Sequence, residues 1–160
     1  MEEFFLFLGD LPLHPFAVHY AVVLFPLTAL MVALAALWPR FRAKYLGLSV
    51  IGLALSIPFV FIAQQSGEAL GEAYYEPDVH EEYGEMMMPV ALATLAIAVL
   101  FWLAIKYRWP SILLKALGFL AVSAAVGAVA ITFVVGHSGA EATWGNTLSA
   151  ASQSFEMREL

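Results

Sequence analysis

The sequence contains no cysteine and few charged residues, and both shortages limit what the protein can be. Without cysteine, disulfides, thiolate metal sites and cysteine-ligated iron–sulfur clusters are excluded. Charged residues make up 12% of the chain and hydrophobic residues 62%, which is outside the range of ordinary soluble domains. The net charge of −6, without any basic stripe, argues against nucleic-acid binding. The composition therefore predicts a protein whose partner is the lipid bilayer.

Four apolar segments are each long enough to cross the hydrocarbon core, which takes roughly 20 helical residues. They cover about 15–38, 43–65, 86–107 and 112–136. We predict an all-α, integral-membrane four-helix bundle over residues 1–145. The polar tail 146–160 has weak helical character and is expected to lie on the surface or to be disordered. No basic residue precedes the first apolar run, so no cleaved signal peptide is expected.

The basic residues fall in two connections, apart from Arg158 in the tail. These connections follow the first and the third apolar segments, and they contain Arg40, Arg42, Lys44, Lys106, Arg108 and Lys115. By the positive-inside rule both connections are cytoplasmic. The sequence therefore predicts that both termini and the connection 66–85 lie on the outer side of the membrane.

An internal repeat relates the two halves of the chain. Three features recur at identical spacing: Trp38-Pro39, Lys44 and Gly47 correspond to Trp109-Pro110, Lys115 and Gly118. With one inserted residue, Ser66-Gly67 also corresponds to Ser138-Gly139. This pattern favours two duplicated helix hairpins around an axis along the membrane normal. The alternative is that Trp-Pro and Ser-Gly are simply common dipeptides at helix ends.

The four histidines all fall at the predicted outer end of the bundle. At about 1.5 Å per helical residue, His14, His80 and His137 lie at similar heights, with Glu68 within about one turn of them. Every span thus brings a nitrogen or carboxylate donor to one end, as in cofactor sites of helix bundles. We predict a transition-metal site for zinc, copper or iron. Its predicted ligands are His14, Glu68, His80 and His137, with Glu72 and Glu81 as further ligands or as acceptors that orient a ring.

A b-type haem between two imidazoles is the alternative cofactor. In that arrangement His19 and either His80 or His137 would be the axial ligands. Met87 lies on roughly the same helix face as His80 and is predicted to contact the cofactor, although packing also explains a methionine there. Each histidine has a structural alternative as well. These alternatives are an interfacial position for His14, a backbone hydrogen bond for His19, solvation for His80 and a helix-dipole interaction for His137.

The predicted function is to hold a metal cofactor near the outer face for redox or metal handling. A membrane cytochrome in electron transfer, a cofactor-free accessory subunit of a membrane complex and a small transporter are the alternatives. No nucleophile–base pair, glycine-rich phosphate loop or HExxH motif occurs, so no catalytic residue is predicted. Besides the bilayer, a homodimer or a membrane redox partner is expected.

Several short elements together resemble the bacterial membrane family catalogued as domain of unknown function 2231. They are His14-Pro15 with Val18-His19, His80-Glu81, and Gly136-His137-Ser138-Gly139. The resemblance covers most of residues 12–145. It implies a four-span protein of the bacterial cytoplasmic membrane, and it implies no particular activity.

Overall fold

The computed structural model describes the backbone of residues 7–9, 11–74 and 78–156, and the side chains of 9, 11–72 and 79–145. Helices make up 93% of the structure. They are α1 (Leu13–Leu37), α2 (Pro39–Tyr74), α3 (Asp78–Glu85), α4 (Met87–Lys106) and α5 (Ser111–Glu156). The predicted all-α class is therefore confirmed.

Four segments are long and apolar enough to cross a membrane. They are Leu13–Leu37, Pro39–Glu72, Val79–Lys106 and Ser111–Gly145. The third includes α3 and α4, which are separated only by Met86. The predicted four spans are thus confirmed, and each matches one predicted apolar segment.

A short β-hairpin precedes α1, and this hairpin was not predicted from the sequence. Strand β1 (Phe7–Leu8) pairs antiparallel with strand β2 (Leu11–Pro12). Gly9 in the turn has a φ of 67°, a left-handed conformation that glycine adopts without a Cβ clash. The Gly-Asp pair between two apolar dipeptides is a typical hairpin turn and was the available signal.

Two helices extend beyond their apolar segments. Helix α2 continues to Tyr74 and α5 continues to Glu156, so the backbone of the predicted tail is helical up to that residue. The sequence also predicts a turn near Pro77, between the second and third spans, and this position lies outside the described residues. Helices α1 and α2 also continue through Pro26 and Pro58, which are both inside helices.

The two Trp-Pro pairs mark the corners between antiparallel helices. Trp38 has an extended backbone, because the following proline disfavours the helical conformation, and it separates α1 from α2. At the second corner α4 ends at Lys106, and Arg108 adopts a φ of 53° before α5 begins. At both corners a proline thus lies at, or just before, the first residue of the following helix, whereas α4 ends four residues before its proline.

The four long helices pack as a ring in which α1 lies between α2 and α5, and α4 lies between the same two helices. We call α1 and α2 the first hairpin, and α3, α4 and α5 the second hairpin. Alanines dominate the buried contacts, and Ser49 and Ser56 are fully buried on α2. Small side chains let helix backbones approach closely, which drives helix association in lipid. Ser123 and Gly127, expected among these contacts, instead face outward.

The outer surface of the bundle is apolar. Large side chains such as Val23, Phe119 and Phe133 are more than half exposed. In a soluble protein such a surface would be unusual, whereas lipid chains solvate it in a membrane. We call the end that carries the four histidines the histidine end, and the opposite end, which carries the basic corner residues, the basic end.

Candidate functional site

A cavity of about 580 Å³ opens at the histidine end between the helices of both hairpins. Small and aliphatic side chains such as Val18, Val60 and Val135 form much of its wall. Its polar wall contains histidine side chains as well as carboxylates. The polar residues that face it include His14, His19, Gln64, Glu68, His80, Glu81 and Glu85.

His14 is held against α2 from the first turn of α1. Its Nδ1 lies 2.8 Å from the carbonyl oxygen of Ala63 and 3.2 Å from Ser66 Oγ. Ser66 Oγ in turn donates a hydrogen bond of 3.1 Å to the Ala63 carbonyl. A Cβ atom on Gly67 would lie only 3.0 Å from His14 Cε1, so the glycine makes room for the ring. The position of His14 is therefore set by one turn of α2.

His80 on α3 is held against α5 in the same manner. Its Nδ1 lies 3.0 Å from Ser138 Oγ, and it also bonds to the backbone of Val135. Ser138 Oγ donates a hydrogen bond of 3.1 Å to the Val135 carbonyl. A Cβ atom on Gly139 would lie 2.9 Å from His80 Cε1. Both hairpins thus fix a histidine with a backbone carbonyl, a serine and a glycine.

This equivalence extends the sequence repeat into three dimensions. The interval in the chain from His14 to His80 equals that from Thr28 to Thr94, and both threonines bond to the carbonyl four residues earlier at 2.7 Å. The interval from Ser66 to Ser138 likewise equals that from Gly67 to Gly139. Histidines from equivalent positions therefore meet at the end of the bundle.

The two imidazole rings lie close together across the hairpin boundary. The centroids of His14 and His80 are 6.4 Å apart, and the ring planes are inclined at 81°. In each case the serine hydroxyl donates its hydrogen to a backbone carbonyl, so the serine oxygen accepts a hydrogen bond from Nδ1–H of the ring. The neutral rings consequently carry their proton on Nδ1 and a lone pair on Nε2. This is the tautomer that presents Nε2 as a metal ligand, with Nδ1 held by a neighbouring acceptor.

Glu68, Glu81 and Met87 also belong to the cavity. The Glu68 carboxylate accepts hydrogen bonds from Gln64 Nε2 at 3.1 Å and from Gln65 Nε2 at 2.7 Å. Glu81 is exposed beside His80, and Met87 is buried at the start of α4. All three therefore lie where a bound cofactor would contact them.

Of the remaining predicted site residues, His19 lines the cavity, whereas His137 and Glu72 do not. His19 lines the cavity and is exposed, and its Nδ1 bonds to the Pro15 carbonyl. His137 is exposed, with its ring stacked on Phe133 at a centroid distance of 6.1 Å. Glu72 is also exposed, and neither it nor His137 is among the residues that line the cavity. Within the described side chains, no three His, Asp or Glu residues are grouped closely enough to hold a metal ion. The ligand roles of these residues stay predictions.

Ser66 and Ser138, with Gly67 and Gly139, are the site residues that the sequence reading did not assign. Their signal was the repeat itself. Because Ser66-Gly67 corresponds to Ser138-Gly139, a contact made by one pair predicts the same contact for the other. Each pair lies on the membrane-length segment that follows the one with its histidine, so the pairing of one histidine with one Ser-Gly step was available from the sequence.

Four membrane-length helices with an apolar exterior define a multi-pass membrane protein. More particularly, the family described as "Predicted membrane protein (DUF2231)" matches residues 10–151, which is most of the chain. The chain belongs to this family, in agreement with the resemblance of its histidine elements. No curated protein and no solved structure gives a significant match.

Proposed function

We propose that the histidine end holds a redox-active metal cofactor, with His14 and His80 as its two protein ligands. The observation that carries this proposal is the pair of rings 6.4 Å apart, with the same proton arrangement on both. With metal–nitrogen bonds of about 2.0–2.1 Å, one metal bound between two imidazoles separates the ring centroids by roughly 6 Å. The observed separation of the two rings is close to this value.

The number of ligands favours haem b over a bare ion. Two imidazoles converge, whereas a structural zinc site usually has four protein ligands. A haem would supply four ligands of its own, and the cavity volume of about 580 Å³ lies within the usual range for small-molecule sites. Apolar residues such as Val18, Val60 and Val135 would face the macrocycle.

A zinc, copper or iron ion without haem is the second candidate. The observation in its favour is the carboxylate of Glu68 in the cavity wall. To bind the metal, the Glu68 carboxylate would have to give up the hydrogen bonds that it accepts from Gln64 and Gln65. Under the orientation that the basic residues predict, either cofactor would lie at the periplasmic face of a bacterial inner membrane. There haem, copper or iron would exchange electrons with a membrane redox partner, whereas zinc, which has no redox chemistry, would serve metal handling.

The test is an absorption spectrum of the purified protein, oxidised and reduced, together with elemental analysis of the same sample. For haem we expect a Soret band that shifts on reduction, and for an ion we expect near-stoichiometric metal without that band. His14→Ala and His80→Ala should each lose the cofactor. His137→Ala is the matched control and should retain it, because the ring faces outward.

Three results would contradict the proposal or its ligand assignment. A wild-type protein without colour or metal would favour the accessory-subunit alternative. Retention of the cofactor by both His14→Ala and His80→Ala would refute the two-imidazole assignment. Loss of it in His137→Ala would restore the four-ligand set of His14, Glu68, His80 and His137.

A further inference from the structure

A second, smaller cavity of about 190 Å³ lies at the basic end, between the start of α2 and the end of α4. We call it the basic-end groove. Its lining residues are Arg42, Ala43, Leu46, Gly47, Trp102, Ile105 and Lys106. Two cationic side chains from different hairpins therefore meet at one groove, about a full helix length from the histidines.

Within the part of the chain that the structure describes, Arg42 and Lys106 are not paired with carboxylates. Arg42 Cζ lies 5.8 Å from the centre of the Phe101 ring, and Lys106 Nζ lies 5.0 Å from the centre of the Trp102 ring. Among the described residues, their recorded partners are aromatic rings. The acidic residues of the helices all lie toward the histidine end, on α2 from Glu68 onward, on α3, and on α5 from Glu141 onward. The positive charge of the groove is thus not neutralised within this part of the chain.

Two further features of the groove favour an anion. Trp102 Nε1 lies beside Gly47, 3.9 Å from where a Cβ atom would be, and no hydrogen bond from the indole is recorded among the described residues. Helix α2 begins at Pro39, so the positive end of its dipole is at the same face. The groove therefore combines a guanidinium, an ammonium and an indole N–H, at the same end of the bundle as the N-terminus of α2.

We propose that the basic-end groove binds the phosphate group of an anionic phospholipid. Guanidinium groups bind phosphate in a bidentate manner, and basic pockets between transmembrane helices bind phospholipid headgroups. Inorganic phosphate offers the same chemistry, but a lipid also brings acyl chains. Farther along α2, Leu48 and Ile51 are 57% and 58% exposed and offer those chains an apolar surface. The proposal is independent of any cofactor at the histidine end.

Native mass spectrometry of the purified full-length protein tests this proposal. The protein is mixed with equal amounts of phosphatidylglycerol, which is anionic, and phosphatidylcholine, which is zwitterionic. We expect the wild type to retain phosphatidylglycerol preferentially. The Arg42→Gln/Lys106→Gln variant should lose this preference by roughly 10-fold or more, because it removes both charged groups that would bind the phosphate in the groove.

Arg40→Gln/Lys44→Gln is the matched control, since it removes the same charge from exposed positions at the same end. It should change the preference by less than about 3-fold. Lys106→Arg should retain the lipid. Should the double variant fail to fold, Lys106→Gln alone carries the test, because that side chain is exposed.

Three outcomes would overturn the proposal. The first is a wild type that shows no preference between the two lipids. The second is an equal loss in the groove variant and the control, which would mean that diffuse surface charge attracts the lipid. The third is displacement of bound phosphatidylglycerol by excess inorganic phosphate, which would identify a site for the free anion.

Discussion

At the residue scale, Gly67 and Gly139 determine whether the two histidines can lie against the neighbouring helix. Each glycine leaves room for an imidazole edge that a methyl group would fill. The serine one residue earlier then meets Nδ1 of the same ring. A Ser-Gly pair on one helix thus forms a binding position for a histidine ring from the adjacent helix.

Gly139→Ala is expected to displace His80, because the new Cβ would lie 2.9 Å from Cε1. Overpacking of this kind costs about 1–3 kcal/mol, and the melting temperature in detergent should fall accordingly. The Soret band or metal content should also fall, which separates the effect from a purely structural one.

Gly127→Ala on the same helix is the control, because nothing lies within 4 Å of its Cβ position and Gly127 is not among the residues that line the cavity. It should be neutral or more stable by up to about 1 kcal/mol, since alanine is the better helix former. Equal stability and equal cofactor content in the two variants would show that His80 does not lie against Gly139.

The sequence predicted the level of the site residues along the bundle, but not the direction in which their side chains point. Counting residues along each helix brings His14, His80 and His137 to one level. The direction of a side chain depends on how its helix is rotated, and tertiary packing sets that rotation. Ser138 contacts His80 and Gly139 lines the cavity, whereas His137 is on another face of α5, exposed and stacked on Phe133. The hydrogen bonds from Gln64 and Gln65 to Glu68 were predictable, because residues four and three apart on a helix are neighbours.

At the scale of the helix, the closest contact is the crossing of α1 and α2. A Cβ atom on Gly52 would lie 2.5 Å from Thr28 Cγ2, so the glycine permits this approach. Thr28 also satisfies its hydroxyl by bonding to the Leu24 carbonyl of its own helix. The methyl group of Thr28 therefore provides the contact, while its hydroxyl needs no partner on α2.

Gly52→Ala should push α1 and α2 apart and destabilise the bundle by about 1–3 kcal/mol. Thr28→Ser removes the methyl group and keeps the hydroxyl bond, so Gly52→Ala/Thr28→Ser should recover most of that loss. Thermal unfolding in detergent measures both effects. An additive decrease in the double variant would contradict the contact, because only residues in contact are expected to couple.

Helix ends were harder to predict than the spans. An apolar window identifies each span because roughly 20 apolar residues are needed to cross the bilayer. It gives no information about polar residues that continue the same helix, and both α2 and α5 continue beyond their windows. The corners were predictable, because a residue before proline is biased away from the helical conformation, as Trp38 is here.

At the scale of the whole molecule, the distribution of charge predicts an orientation. The basic residues of the described helices and corners lie at one end, and the acidic residues lie at the other. The positive-inside rule then orients the basic end toward the cytoplasm. The histidine end, with its cavity, would face the periplasm.

Single-cysteine labelling tests this orientation, and the absence of native cysteine makes it free of background. In intact cells, Val79→Cys should react with a membrane-impermeant thiol reagent, since Val79 is 58% exposed at the histidine end. Lys44→Cys, exposed at the basic end, should react only after the cells are opened. The reverse pattern of labelling would invert the topology and place the cavity in the cytoplasm.

The orientation of the two histidine rings and the distance between them are set by different parts of the structure. Each ring is oriented by hydrogen bonds within its own hairpin, His14 on α2 and His80 on α5. The distance between the rings, in contrast, is a distance between hairpins. If one hairpin slid against the other, the spacing of the two nitrogens would change while every hydrogen bond that orients them stayed intact. The separation of the two rings would then report the position of one hairpin relative to the other.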